Sequence, residues 1–211
     1  SLTALMETRD VPTGQHARRT QEYSRLLATE LARLPRYRDY LTRERIDLIA
    51  ELSPLHDIGK VGVPDAILNK PGALSEDEAS EMRKHPDVGH QTIERAERLA
   101  GGALGSDDPL VQLAKDIIYT HHERWDGRGY PRGLKGDEIP VAGRIVALVD
   151  VYDALSHSRT YRNSLSHREV VATIMAGRGT HFDPDVVDAF VSLEPRFREL
   201  SAGTADQEAH G

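Results

Sequence analysis

Five histidines and two aspartates stand in this chain where they could do chemistry together. His56-Asp57 comes just before Gly59 and Lys60, and His121-His122 closes the run LVQLAKDIIYT. His85 precedes Pro86, His16 follows the turn-like VPTGQ, and Asp150 lies in the middle of VAGRIVALVDVYDAL. Each has an ordinary reading alone. A His-Asp dipeptide arises by chance and often caps a helix. A histidine four residues after Ile117 on an apolar stripe is more often a satisfied core residue. Asp150 could be paired with an arginine such as Arg144. As a set they offer imidazole and carboxylate ligands without thiolate, which suits iron, manganese, nickel or zinc better than calcium or magnesium. Seven ligands exceed the need of one ion and suit two ions sharing a carboxylate. Two metals about 3.5–4 Å apart are a common device for phosphoester hydrolysis. His122 is turned by about 100° from His121 in a helix, so the two reach one cluster only if they approach different metals or the helix ends there.

The elements that must position these side chains read as helices. Tyr23, Leu26, Leu27, Leu31 and Leu34 mark one face of a first helix starting near His16. Thr42 is the N-cap of a second, running through Ile46, Ile49 and Leu52 towards Pro54. Ser75 with Glu78, and Ser166 with Glu169, have capping-box spacing. Asp108-Pro109, Ile139-Pro140 and Asp183-Pro184 read as helix starts. The stretch 141–155 is apolar nearly all round and is expected to be a buried helix, so a carboxylate at Asp150 needs a proton, a partner or a metal. Few windows alternate with period two. The expectation is an all-α domain of roughly seven to nine helices. Residues 101–109 read as a loop and residues 199–211 as a disordered tail.

Composition narrows the partners. The 211 residues are 38% hydrophobic and 29% charged, as in an ordinary globular domain. No apolar run approaches a membrane span and no secretory leader opens the chain. Ser1 stands where an initiator Met would be, which points to a piece of a longer protein. The absence of cysteine excludes disulfides and fits a reducing cytoplasm. A formal net charge of −7 argues against a protein that tracks a nucleic-acid backbone, and an anionic ligand would need a local cationic pocket.

The motifs together resemble the HD-GYP domain, a branch of the HD metal-dependent phosphohydrolase superfamily that degrades bacterial cyclic dinucleotides. The resemblance rests on HDIGKVGVPDAILNKPGAL (56–74), the His85 region, HHERWDGRGYP (121–131), EIPVAGRIVALVDVYDALSHSRTYR (138–162) and HFDP (181–184). It implies an HD-domain-like helical bundle with an irregular GYP loop, spanning residues 1–198 and serving as the output domain of a longer sensory protein. It implies metal ligands at His16, His56, Asp57, His85, His121, His122 and Asp150, with Asp57 bridging two ions. Lys60 would reach the scissile phosphate. Arg159 and Arg162 would hold the dinucleotide phosphates. Tyr130 would line a guanine base, with Gly127 and Gly129 letting the loop backbone approach, and Trp125 would pack beneath the loop. In some members a glutamate one turn before the first histidine holds a third metal. Here that position is Pro12, and Asp10 and Glu7 lack its spacing, so two metals are expected.

The implied reaction is metal-assisted hydrolysis of cyclic di-GMP to pGpG, and on to GMP, in the cytoplasm. Iron or manganese would be the metal, with nickel or zinc as alternatives. Rival readings are a slow or inactive cyclic-dinucleotide-binding module, and an HD hydrolase preferring pGpG or cyclic GMP-AMP. Residues 127–138 are a candidate contact for GGDEF-domain proteins, and a homodimer is a candidate assembly.

Overall fold

The computed structural model describes residues 14–99, 108–157 and 165–208, with side chains to residue 202. Its helices are α1 (Gly14–Leu31), α2 (Pro35–Arg38), α3 (Arg43–Leu52), α4 (Asp65–Leu68), α5 (Glu76–Met82), α6 (His85–Leu99), α7 (Pro109–Thr120), α8 (Val141–Ser156), α9 (His167–Ala176), α10 (Pro184–Ser192) and α11 (Glu194–Glu208). Two 3-10 segments, Ser53–Gly62 and Gly136–Glu138, follow α3 and precede α8. Among the described residues there is no strand, only an isolated bridge between Arg178 and Phe182. The all-α expectation holds. Among the described residues nine helices have at least seven residues, and α2 and α4 add single turns of four. No helix among the described residues is long and apolar enough to cross a membrane.

The helix starts are built as the sequence implies. Thr42 accepts from the Arg45 N–H, and Ser75 with Glu78 and Ser166 with Glu169 both close capping boxes. Asp108 and Asp183 accept from the N–H groups of Leu110 and Asp185, in front of prolines at the first turn. The end of the chain differs from expectation. Helix α11 continues to Glu208 where a disordered tail from residue 199 was expected. Composition hid the reason: Leu200 packs on the core, and the polar stretch continues a helix already docked through Phe197.

Helix α8 is the axis of the bundle, surrounded by α1, α7, α9 and α10. Ala142 through Val149 and Tyr152 are all buried along it, each large apolar side chain contributing about 1.5–3 kcal/mol. Tyr23 of α1, Tyr152 of α8 and Phe197 of α11 interlock with ring centroids 4.6–5.0 Å apart, and Phe190 of α10 joins them. Two close approaches bring the histidine-bearing segments together. A Cβ on Gly59 would overlap the His85 carbonyl oxygen, so glycine lets the 3-10 segment lie directly on the start of α6. A Cβ on Gly143 would overlap the Thr120 hydroxyl, so glycine lets the end of α7 sit against α8.

Candidate metal centre

Three histidines are aimed by the turn each one ends. The Nδ1 of His56 lies 2.7 Å from the Ser53 carbonyl, that of His85 2.8 Å from Met82, and that of His121 2.9 Å from Ile118. Each partner is three residues back. A carbonyl oxygen only accepts, so each Nδ1 must carry a proton and each Nε2 turns inward, at His85 and His121 as a lone pair. The Nε2 atoms of His85 and His121 face one another at 3.2 Å. Two lone pairs at that distance repel one another, and a cation between them would relieve the repulsion. Burial disfavours a proton there: it pushes the pKa of His85 down, and burial with the neighbouring His122 pushes His121 well down.

Asp57 presents its two oxygens to two different sets of side chains. Its Oδ1 lies 3.4 Å from His85 Nε2 and 3.9 Å from His121 Nε2. Its Oδ2 lies 3.3 Å from His56 Nε2 and 2.8 Å from the Lys60 ammonium. Ligand atoms of Asp57, His85, His121 and His122 all fall within 4.8 Å of one another. His56 Nε2 has no hydrogen-bond partner although it is buried, and lies 3.6 Å from Asp150 Oδ1. Burial opposes charge on His56, yet Asp57 and Asp150 hold its pKa well above the ordinary value. Burial likewise opposes the Asp57 carboxylate, and Lys60 with His56 overcomes it and holds the pKa well down. The opposite shifts of His56 and Asp57 are those of an ion pair buried between them, and the group of Asp57, His85, His121 and His122 could hold a metal ion. The donor set, imidazole and carboxylate without sulfur, fits a divalent transition metal.

The open choice for Asp150 is decided by its neighbours. Arg144 is committed elsewhere, donating to the Ile139 carbonyl at 2.6 Å and to Asp183 at 3.0 Å. Asp150 is left facing His56. His122 follows the end of α7, where His121 is the C-cap, so the helix does end there and both rings turn to one cluster. His16 of α1 lies beside the group, its ring 5.7 Å from that of His56. Its Nδ1 lies 2.6 Å from Asp153 Oδ2. Sequence reasoning missed Asp153. That carboxylate also takes both forks of Arg19, at 2.6 and 3.0 Å, and holds the His16 ring through Nδ1. The signal was present: Asp153 is a second acid on a helix apolar all round, one turn after Asp150, and the same burial cost applies to it.

The GYP loop leaves the cluster and returns beside it. Tyr130 lies flat on His122, with ring centroids 4.7 Å apart at 24°, and the Tyr130–Pro131 peptide bond is cis. Glu123, one residue after the histidines, is buried and accepts from the N–H groups of Arg132 at 2.8 Å and Leu134 at 3.0 Å, so it fastens the loop. Gly127 has φ +80 and packs on Lys135, whereas Gly129 lies against the Glu123–Arg124 backbone with no room for a Cβ. Trp125 packs with the Arg144 guanidinium 5.3 Å from its ring, beneath the loop. An open cleft of about 530 Å³ adjoins the cluster, lined by His122, Gly129 and Tyr130 together with Arg83, Arg124 and Arg128. Gly129 and Tyr130 thus face the cleft, and Gly127 is not among its walls. Arg159, Arg162 and Pro12 lie outside the described residues.

Comparison with known proteins adds lineage to geometry. A family model described as an HD domain matches residues 2–186. A probable cyclic di-GMP phosphodiesterase of Vibrio cholerae serotype O1 is 49% identical over 209 residues, covering 99% of this chain and 46% of that protein. A cyclic di-GMP phosphodiesterase of Thermotoga maritima is 37% identical, covering 98% of this chain and 51% of that protein. The 3'3'-cGAMP-specific phosphodiesterase 2 of V. cholerae is also 37% identical, covering 98% of this chain and 36% of that protein. The chain spans about half the length, or less, of the curated relatives it matches. A solved structure of a cyclic GMP-AMP specific phosphodiesterase of V. cholerae shares the fold, with a TM-score of 0.57 at 22% identity, covering 98% of this chain and 51% of that one. On the family match and these relatives, the chain belongs to the HD domain family, in its HD-GYP form.

Proposed function

We propose that the chain is a binuclear metal-dependent phosphodiesterase that hydrolyses cyclic di-GMP to linear pGpG, with GMP as a further product. The observation that carries this reading is the facing pair of buried Nε2 atoms on His85 and His121, 3.2 Å apart beside Asp57. The two sides of Asp57 suggest two ion positions. His85, His121 and His122 with Oδ1 would hold one, and His16, His56 and Asp150 with Oδ2 the other. Iron or manganese suits this donor set best, with nickel or zinc as alternatives. When bound, the metals would supply Lewis acidity, neutralise phosphate charge and lower the pKa of water.

The chain's own residues do the remainder. At His85 and His121 the carbonyl-held Nδ1 protons keep lone pairs pointed inward before any ion arrives, while His56 would give up its Nε2 proton as an ion binds. Asp153 holds the His16 ring through Nδ1. The Lys60 ammonium sits at the edge of the site, 2.8 Å from Asp57 Oδ2, where it can meet a phosphate oxygen or the departing alkoxide. Tyr130 and Gly129 form the wall against which a base would lie, and Arg159 and Arg162 are retained as phosphate contacts on the resemblance alone. A GGDEF-domain partner on residues 127–138, a homodimer and a cytoplasmic setting belong to the same proposal.

The test is direct. Protein purified anaerobically is assayed for metal content and incubated with cyclic di-GMP and Fe(II) or Mn(II), with products followed by chromatography. Two ions per chain and release of pGpG are expected; binding without turnover under every metal would sink the enzyme reading. A second reading, preference for 3'3'-cGAMP, draws on relatives named for that activity at 37% identity, and the same assay run with both substrates separates the two.

A further inference from the structure

The cleft beside the metal centre is cationic in a chain whose 34 acidic residues outnumber its 27 basic ones. Arg83 caps the end of α5, while Arg124 and Arg128 come from the GYP loop, so two separate segments converge on it. Among the described residues no carboxylate lines the cleft. Arg124 is already tied to Asp126 by paired hydrogen bonds of 3.1 and 2.8 Å. Arg83 and Arg128 are exposed at its walls. His122 belongs both to the metal cluster and to this cleft. A ligand with one phosphate at the cluster would have these two guanidinium groups within the same cleft, beyond His122 and Tyr130. About 530 Å³ is room for a nucleotide and far more than a lone phosphate needs.

We propose that Arg83 and Arg128 form a second anion subsite that holds the non-reacting phosphodiester of a cyclic dinucleotide. The pair would select substrates with two phosphates over those with one. Guanidinium forks match phosphate oxygens two at a time, and positive charge placed beyond the reacting centre supplies binding without touching the chemistry. The proposal rests on the phosphodiesterase reading above.

The test compares cyclic di-GMP with bis(4-nitrophenyl) phosphate, a one-phosphate diester, on the Mn(II)-loaded chain. The readout is the ratio of kcat/KM for the two substrates. Each of Arg83→Ala and Arg128→Ala should lower the ratio by about tenfold and the double variant by about a hundredfold, mostly through KM. Arg83→Lys should recover part of the loss, because charge returns without the fork. Should the double variant fold poorly, each single variant carries the same test. An unchanged ratio, or equal losses on both substrates, overturns the subsite while leaving the proposed activity standing. Wild-type protein that hydrolyses the nitrophenyl diester but not cyclic di-GMP overturns both.

Discussion

At the scale of single residues, the centre depends on which nitrogen carries the proton. Ser53, Met82 and Ile118 contribute nothing but carbonyl oxygens, yet they decide that three imidazoles turn Nε2 inward. Asp57 is where the two halves of the centre meet. Asp57→Ala should lower turnover of cyclic di-GMP by at least about a hundredfold, since losing even an outer partner of a ligand costs 10–100-fold; activity surviving in this variant would dismiss the site. Asp153→Asn should have two separable effects. Metal affinity should fall about 10–100-fold as His16 loses its orienting partner. The metal-free protein should lose about 3–5 kcal/mol in urea unfolding, because the Arg19 guanidinium stays buried without its carboxylate. A stability loss with unchanged affinity would mean that Asp153 serves the fold alone. The seven proposed ligand positions stood out in the sequence because histidine and aspartate are costly in apolar settings and therefore conspicuous. Asp153 was legible by the same rule. Its partnership with His16, 137 residues away, was not, since no local pattern encodes it.

At the scale of elements, two glycines set how close the ligand-bearing segments lie. Gly59→Ala would push the 3-10 segment off α6 and part Asp57 from His85. A loss of about 1–3 kcal/mol is expected from such overpacking, with weaker metal binding in titration; tight binding despite the lost stability would show that the backbone yields elsewhere. The GYP loop offers an optical handle, because Trp125 is the only tryptophan. Its neighbour Asp126 is held by the Arg124 guanidinium at a pKa of about 2, below the usual 3.8. A depressed carboxylate contributes stability that is present above pH 3.8 and lost as pH falls through 2. Trp125 emission should therefore shift between about pH 4 and 2, and Asp126→Asn should already show the low-pH spectrum at neutral pH; identical profiles would mean that the pair does not hold the loop. Helix starts were the most readable elements, since caps and prolines act within one turn. The 3-10 form of the segment was not readable: SPLHDIGKVG has an apolar face at helical period, and nothing local marks its tighter turn, which accompanies close packing on α6.

At the scale of the whole molecule, the proposed ligands come from five elements: α1, the first 3-10 segment, α6, the end of α7 and α8. Metal bound there staples together segments that the chain separates by more than a hundred residues. An ion at a hundred times its Kd should stabilise the fold by about 2.7 kcal/mol, and chelation should lower the melting temperature by several degrees. A melting curve indifferent to chelator and to Mn(II) would argue against a shared site. The all-α bundle itself was legible because α8, apolar on every side, can only be a core helix. At the end of the chain helix α11 continues to Glu208 behind Phe197 and Leu200, a helix that the polar composition did not announce.

Glu123 ties the loop down from beneath, through main-chain N–H groups of Arg132 and Leu134 rather than through any side chain at the tip. The residue at 128 is thereby relieved of architectural duty and becomes an exchangeable tooth on a fixed key. On the proposed subsite, the grip on a second phosphate could then be retuned there by single substitutions, as an engineer swaps a bit in a holder, without the bundle or the metal centre having to be rebuilt.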